Sequence, residues 1–390
     1  MQMRMQAGAT ALLLSLGCTP PDPSEGAELG TGGTGTHAGT SGGTTSGEVE
    51  DSGTSSGSDD EAAGSTSASS GGDSDGESTG EPFDGPPHER LLNERVGFGA
   101  STTGGAGGPL VSVTTLADDG PGSLREAAAL EGPVWIRFEV DGVIELESNV
   151  SVGSDKTLDG RGADVTIVGG GLYVEGGEGN VIVNNLKLRD APDDLLRFYD
   201  GGSRMWVHHC DLSSGGDGAF DATERVTDIT VSYTHVFDHD KAMLTGAGSP
   251  EGDGADMRWT AHHNHYEHVV QRLPGLRFGW AHSFNNLYEW ESGTAIWARL
   301  GAEVLVENNI LAPQTNVGHK ILSTEDGAKS KMVGNLERPL DGDAIEFTEV
   351  EPGDVFVASE YYDYVAEPAD DGLAERVRAD AGWRDVPFPE

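Results

Sequence analysis

The residues of this 390-residue sequence whose types and spacing could do chemistry together lie between positions 193 and 277. Asp217 and Asp221 are four apart, so in an extended segment both project to one side of the strand. A second acidic pair, Asp193-Asp194, comes one unit earlier in the repeating pattern described below. Carboxylates on adjacent units form a hard-oxygen donor set, which suits Ca2+ with its about 6–8 ligands. Three cations recur beside them, Lys241, Arg272 and Arg277, in a chain with only 24 Lys and Arg. The acids alone fit a solvated strand edge just as well, and the cations alone fit surface ion pairs. Their recurrence at equivalent places tilts the reading toward a built site.

Those places are defined by the elements around them. After residue 130 the chain is a series of short β-branched runs broken by Gly, Asn and Asp, with hardly any helical periodicity. Runs beginning at Val181, Met205, Ile229, Arg258, Ala281 and Val304 resemble one another. With Asn185, His209, Tyr233, His263, Asn286 and Asn309 as equivalent positions, the spacings are 24, 24, 30, 23 and 23. A steady period in the low twenties predicts a solenoid whose units bury apolar faces only by stacking. Strand-dominated units with Asn at the turn predict an all-β fold, a right-handed single-stranded parallel β-helix. A leucine-rich horseshoe shares the period but needs a Leu-x-x-Leu-x-Leu spacing that is absent; a β-sandwich is the remaining alternative. The long interval holds a Gly- and acid-rich insertion, Gly246 to Asp256, expected to emerge as a loop on one face.

The ends of the chain differ from this domain. Arg4 precedes ten mostly apolar residues, Ala7 to Leu16, too short to span a bilayer but suited to a signal peptide. Residues 1–18 are therefore read as an export signal. Its end, Ser15-Leu16-Gly17-Cys18, resembles a bacterial lipobox, although Ser15 and Leu16 depart from the usual residues; an ordinary secretory signal is the alternative. Residues 19–86 hold 40 Gly, Ser or Thr, 14 acids and no Lys or Arg, a composition that cannot offset its ordering entropy by burial. This segment is read as a solvated tether of about 45 Å root-mean-square reach. It carries −14 of the formal −42, and Arg4 adds one positive charge, which leaves residues 87–390 with −29. So acidic a domain disfavours nucleic acid and any basic-patch adhesion to lipid. Two cysteines exclude a disulfide-rich scaffold.

The chain reads Asp217-Gly-Ala-Phe-Asp221, then His239-Asp-Lys241, then Gln271-Arg-Leu-Pro-Gly-Leu-Arg-Phe-Gly279. With Val96-Gly-Phe-Gly-Ala100 and Asp119-Gly-Pro-Gly-Ser-Leu-Arg-Glu126, this ordered set resembles the extracellular pectate lyases over residues 90–312. The resemblance implies a parallel β-helix at 87–390 and a calcium-dependent lyase that cleaves polygalacturonate by β-elimination to 4,5-unsaturated oligogalacturonides. It implies calcium at Asp193, Asp194, Asp217 and Asp221, with one residue of alignment offset leaving both Asp193 and Asp194 as candidates. It further implies that Arg272 removes the C5 proton while Lys241 and Arg277 hold the substrate carboxylate. An arginine base works against a pKa ordinarily above about 12, which implies an alkaline optimum. The expected protein is a monomer, secreted or at the cell surface as an outer-membrane lipoprotein, touching membrane only through lipid on Cys18.

The chain also departs from the family. His208 stands where Asp is usual beside the Trp206 strand, placing a histidine on the calcium side, and Gly275 replaces a common Arg and so removes a substrate contact. An acidic domain should repel a polyanion at long range, which makes partly methyl-esterified pectin a credible substrate. Two other functions remain open: a calcium-independent pectin lyase, against which Asp217 and Asp221 argue, and a catalytically silent pectin-binding surface protein. The histidines at 208–209, 235–239 and 262–268 are read as hydrogen-bonded stacked turns rather than a zinc site. Cys210 is read as a core residue. Trp280, Trp290 and Trp297 fit a sugar groove or coil packing equally.

Overall fold

A computed structural model describes residues 87–247, 254, 256–315, 320–340, 346–348 and 353–389. The leader, Cys18, the tether and part of the 246–256 insertion lie outside the described residues. What is described is a parallel β-solenoid of about nine turns.

One ten-stranded sheet runs from Leu110–Val113 to Lys329–Val333, every neighbouring pair parallel. A second, seventeen-stranded sheet consists of two parallel ladders. One runs from Gly142–Glu145 to Leu336–Glu337, the other from Val150–Ser151 to Glu346–Thr348. The eleven-residue strand His235–Thr245 belongs to both and fuses them.

Strand alternation explains why these residues build this shape. In Ser203–His208, Met205 and Val207 point into the solenoid, where they join Val181, Val183, Ile229, Val231 and Ala261. The alternate residue Trp206 points outward and packs with Trp135, Ile182 and Leu91 of the N-terminal helix Pro87–Leu92. Six successive turns leave the ten-stranded sheet through a residue with positive φ: Asn185, His209, Tyr233, His263, Asn285 and Asn308. The repeat predicted from sequence therefore slips by one at its last two positions. Asn286 and Asn309 are instead the following residues, and they form the ladder that the fold requires. Asn264, Asn286 and Asn309 each donate their side-chain amide to the Oδ1 of the Asn one turn on, ending at Asn335, at 2.9–3.0 Å. Buried polar side chains are thus satisfied by their own repeats.

The C-terminal helix Asp371–Asp380 is capped by the Asp370 carboxylate, which accepts from Leu373 N at 2.8 Å. It buries Leu373, Ala374 and Val377 against Leu287 and Ile310. Arg378 pins it by an ion pair with Glu289 at 2.6 Å. Burial alone would push the Glu289 carboxyl up, but hydrogen bonds from His265 and Arg378 outweigh it and hold the group down at about 2. A depressed folded-state pKa contributes stability that is present above the unfolded value, about 4.3, and is lost as pH falls toward 2. Glu289→Gln should accordingly lower the melting temperature at neutral pH, and the gap to wild type should narrow below about pH 4 in thermal melts across pH.

Candidate functional site

The acids and cations singled out by sequence meet on the ladder that contains the strands Leu196–Phe198, Gly218–Ala222, His235–Thr245 and Gly275–Arg277. Asp193 and Asp194 lie in the turn before the first of these strands, and Asp217 immediately before the second. Ligand oxygens of Asp193, Asp194 and Asp217 lie within 4.8 Å of one another. Asp194 is buried and its Oδ1 accepts from Gly218 N at 2.7 Å. Asp193 is more exposed and its Oδ2 accepts from the Tyr173 hydroxyl at 3.1 Å.

Asp221 is also buried, with a relative exposure of 6%, and its Oδ1 has no hydrogen-bond partner. Burial, then the nearby Asp194 carboxylate, pushes its carboxyl up to about 8. Asp194 rises to about 6, by burial chiefly, with the Gly218 hydrogen bond opposing. Asp217 moves the other way, because the Lys241 ammonium donates to its Oδ1 at 2.6 Å and stabilises the charged form. A buried carboxylate oxygen without a donor is costly and is rare in finished structures. A divalent cation would satisfy it, and the donor set, all carboxylate oxygen, suits Ca2+ rather than a softer metal. On these two observations the residues fit the implied calcium.

Gly218 is a site residue that sequence reasoning missed, although it stands inside the Asp-Gly-x-x-Asp segment. A Cβ built there would collide with Asp221 Oδ1 and lie 2.9 Å from Asp194 Oδ1. Only glycine lets both carboxylates close over the strand, so the signal was available as the one residue between the acids that must have no side chain. Gly218→Ala is expected to weaken Ca2+ binding by at least about tenfold in calorimetry, in line with other losses at the edge of metal sites.

The cations flank the acids on later turns. Lys241 is in register with Gly218 on one side and Gln271 on the other. Arg272 follows the strand His265–Gln271 with φ of 61°, and its Nη1 lies 3.9 Å from Asp221 Oδ2. Its stem lies against Gly275, where a Cβ would come within 3.1 Å of Arg272 Cγ. The glycine that replaces a common Arg therefore gives Arg272 room. Arg277 donates from Nη1 to the Gly246 carbonyl at 2.9 Å and is in register with Arg299, whose guanidinium lies 3.7 Å from the Trp297 ring centroid.

His208 is not among these groups, contrary to the expectation that it sits on the calcium side. It ends the Ser203–His208 strand in the ten-stranded sheet and is fully buried. There Trp206 Nε1 donates to Ser232 Oγ at 2.8 Å, and the ring bonds to that Oγ at 2.9 Å and to Glu94 at 3.1 Å. Sequence adjacency to a catalytic motif is a poor guide in a solenoid, because each turn carries its residues across separate sheets. His209, Tyr233 and His263 stack turn upon turn, and Cys210 lies in the core. Trp290 is buried in that core, Trp280 stacks on Phe356, and Trp297 alone of the three shares the ladder of the site.

Comparison with known proteins gives a consistent picture. The sequence profile described as pectate lyase matches residues 144–384. A putative pectate lyase 21 of Arabidopsis thaliana is 34% identical over 260 residues, covering 62% of this chain and 66% of that protein. The chain thus spans just under two thirds of that relative. A probable pectate lyase P56 of Solanum lycopersicum is 32% identical over 298 residues, covering 68% and 74%. Among solved structures, the cedar-pollen major allergen jun a 1 superposes with a TM-score of 0.65 at 26% identity, covering 76% of this chain and 94% of the other. A Bacillus sp. N165 pectate lyase bound to trigalacturonate gives 0.58 at 20% identity, covering 74% and 98%, a likeness of fold.

Proposed function

This chain belongs to the pectate lyase family, and from that premise we propose that it is a calcium-dependent lyase that cleaves polygalacturonate by β-elimination. The observation that carries the reading is the group of Asp193, Asp194 and Asp217, with Asp221, whose Oδ1 lacks a hydrogen-bond partner, next to Asp194, and with Lys241 and Arg272 near Asp217 and Asp221. Held by these carboxylates, calcium would neutralise the uronate carboxylate and make the C5 proton more acidic.

The chain's own residues supply the rest. Lys241 is now tied to Asp217, so a cation that takes over Asp217 would free the ammonium for the substrate carboxylate. Arg277, one strand beyond, takes the same polyanion farther along the ladder and, with Lys241, stabilises the negative charge that develops next to C5. Arg272 takes the proton from C5. The electron pair of that C–H bond becomes the C4–C5 double bond, and the C4–O4 bond breaks with its pair leaving on O4, which picks up a proton from solvent. The product is a 4,5-unsaturated uronide and a new non-reducing-side leaving chain, with no water added. Mass spectrometry of polygalacturonate digests tests this: one product should be lighter by one water than the oligomer that hydrolysis would give. A saturated pair of products would refute elimination.

Action outside the cell, with anchoring by lipid on Cys18, is part of the same proposal and rests on the leader at residues 1–18. Mass analysis of the mature chain expressed in a bacterial host tests it. A lipidated N-terminal Cys18 supports the anchor, and an unprocessed chain beginning at Met1 counts against it.

A further inference from the structure

We infer that Arg197 is a built-in counter-cation of the calcium carboxylates, one that lowers the affinity of the nest for calcium and so raises the concentration at which it loads. The inference rests on the calcium reading above and deepens it. Arg197 sits at the centre of the strand Leu196–Phe198, in register with Asp221 on the next turn. Its Nη1 lies 3.6 Å from Asp193 Oδ2 and 3.7 Å from Asp194 Oδ2. Both distances are too long for a hydrogen bond but short enough for strong charge interaction.

The side chain is held in that position by something other than the acids. Its guanidinium lies over Tyr199 at 4.7 Å and Tyr173 at 5.9 Å from the ring centroids, and its buried Nε has no hydrogen-bond partner. Tyr173 in turn donates to Asp193, so one aromatic platform positions both the cation and a carboxylate. With Arg197 on the turn before Asp221 and Lys241 and Arg272 on the turns after it, the acids are enclosed by positive charge along the solenoid axis. The later cations have substrate to turn to. Arg197 is fixed to its tyrosines, so a divalent ion entering the nest meets a positive charge that does not leave. At separations of several ångströms, near a surface, one such charge opposes a dication by about a factor of ten in affinity.

The test is calorimetric titration of Ca2+ into the full-length protein stripped with chelator, comparing wild type with Arg197→Met, Arg197→Gln and Arg197→Lys, each checked by thermal melting. Met keeps the apolar stem on the tyrosines should Gln impair folding. The neutral variants are expected to bind Ca2+ about tenfold more tightly, and Arg197→Lys, which keeps the charge, to stay within about threefold of wild type. An unchanged or weaker affinity in the neutral variants would overturn the inference while leaving the calcium site standing. Absence of Ca2+ binding by wild type and variants alike would remove the calcium reading itself, and this inference with it.

Discussion

Arg272→Ala is expected to lower kcat on polygalacturonate by about two to four orders of magnitude, the range typical of a lost general base. KM should change far less, because Lys241 and Arg277 hold the substrate carboxylate independently. Calcium affinity should be retained or tightened, since the guanidinium lies 3.9 Å from Asp221 and opposes a dication there. Arg272→Lys is expected to recover little. The arginine leaves the chain at a left-handed residue with its stem laid along Gly275, and a lysine on that path ends in a compact, more strongly hydrated ammonium without the planar fork. Steady-state kinetics with unsaturated product as the readout, together with calcium calorimetry on the same samples, separates loss of the base from loss of the metal. A variant with near wild-type kcat would remove Arg272 from the proposed role.

The second large effect has two parts of opposite sign. Asp221→Asn should abolish measurable calcium binding at concentrations that saturate wild type, and with it nearly all turnover. Loss of an outer-shell partner of a metal already costs about 10- to 100-fold in affinity, and a ligand should cost at least as much. The same substitution should raise the melting temperature of the chelator-treated protein. Without metal, Asp221 is a buried carboxylate with one oxygen unpartnered, next to Asp194. Relief of about 1–3 kcal/mol is reasonable for removing such a group's charge. At about 2–4 °C per kcal/mol for large domains, that is a readable shift. Function lost and stability gained from one isosteric change is the signature of a carboxylate placed for a ligand. A fall in stability without calcium would mean that Asp221 is a structural ion-pair partner instead.

Much of this molecule can be read from its sequence, and the reason is the repeat. Stacked turns impose one pattern on every unit, so β-branched runs at a spacing in the low twenties define the solenoid before any coordinates. The misreading at Asn286 and Asn309 has a physical origin. Two successive positions, a left-handed residue and a ladder residue, both favour Asn, and in the pairs Asn285-Asn286 and Asn308-Asn309 both are Asn. Composition cannot say which is which; only the left-handed backbone at the first can. His209, Tyr233 and His263 fill the same left-handed position, which shows that turn geometry sets the register there, with stacking of the rings in support.

The site was legible where its residues are charged and sparse. Asp217, Asp221, Lys241 and Arg272 stand out in sequence and come together in space. Gly218 and Arg197 did not, because a glycine between acids reads as a spacer and an arginine on a strand reads as solvent-facing. Both acquire meaning only from the register between turns, which sets Arg197 beside Asp221 and Gly218 beside Lys241. His208 erred in the opposite direction. Its neighbourhood in sequence suggested the metal, while the strand it ends belongs to the other sheet.

The central claim is that this site eliminates across a uronide by means of a calcium-loaded carboxylate nest. Ultraviolet absorbance of the unsaturated product, followed on polygalacturonate first with added Ca2+ and then with excess chelator, tests it most directly. Absorbance that climbs with Ca2+ and stops on chelation, then resumes when Ca2+ is restored, is the predicted result. Absorbance that climbs regardless of chelator would contradict the metal requirement, and none at all on either polygalacturonate or methyl-esterified pectin would contradict the lyase assignment.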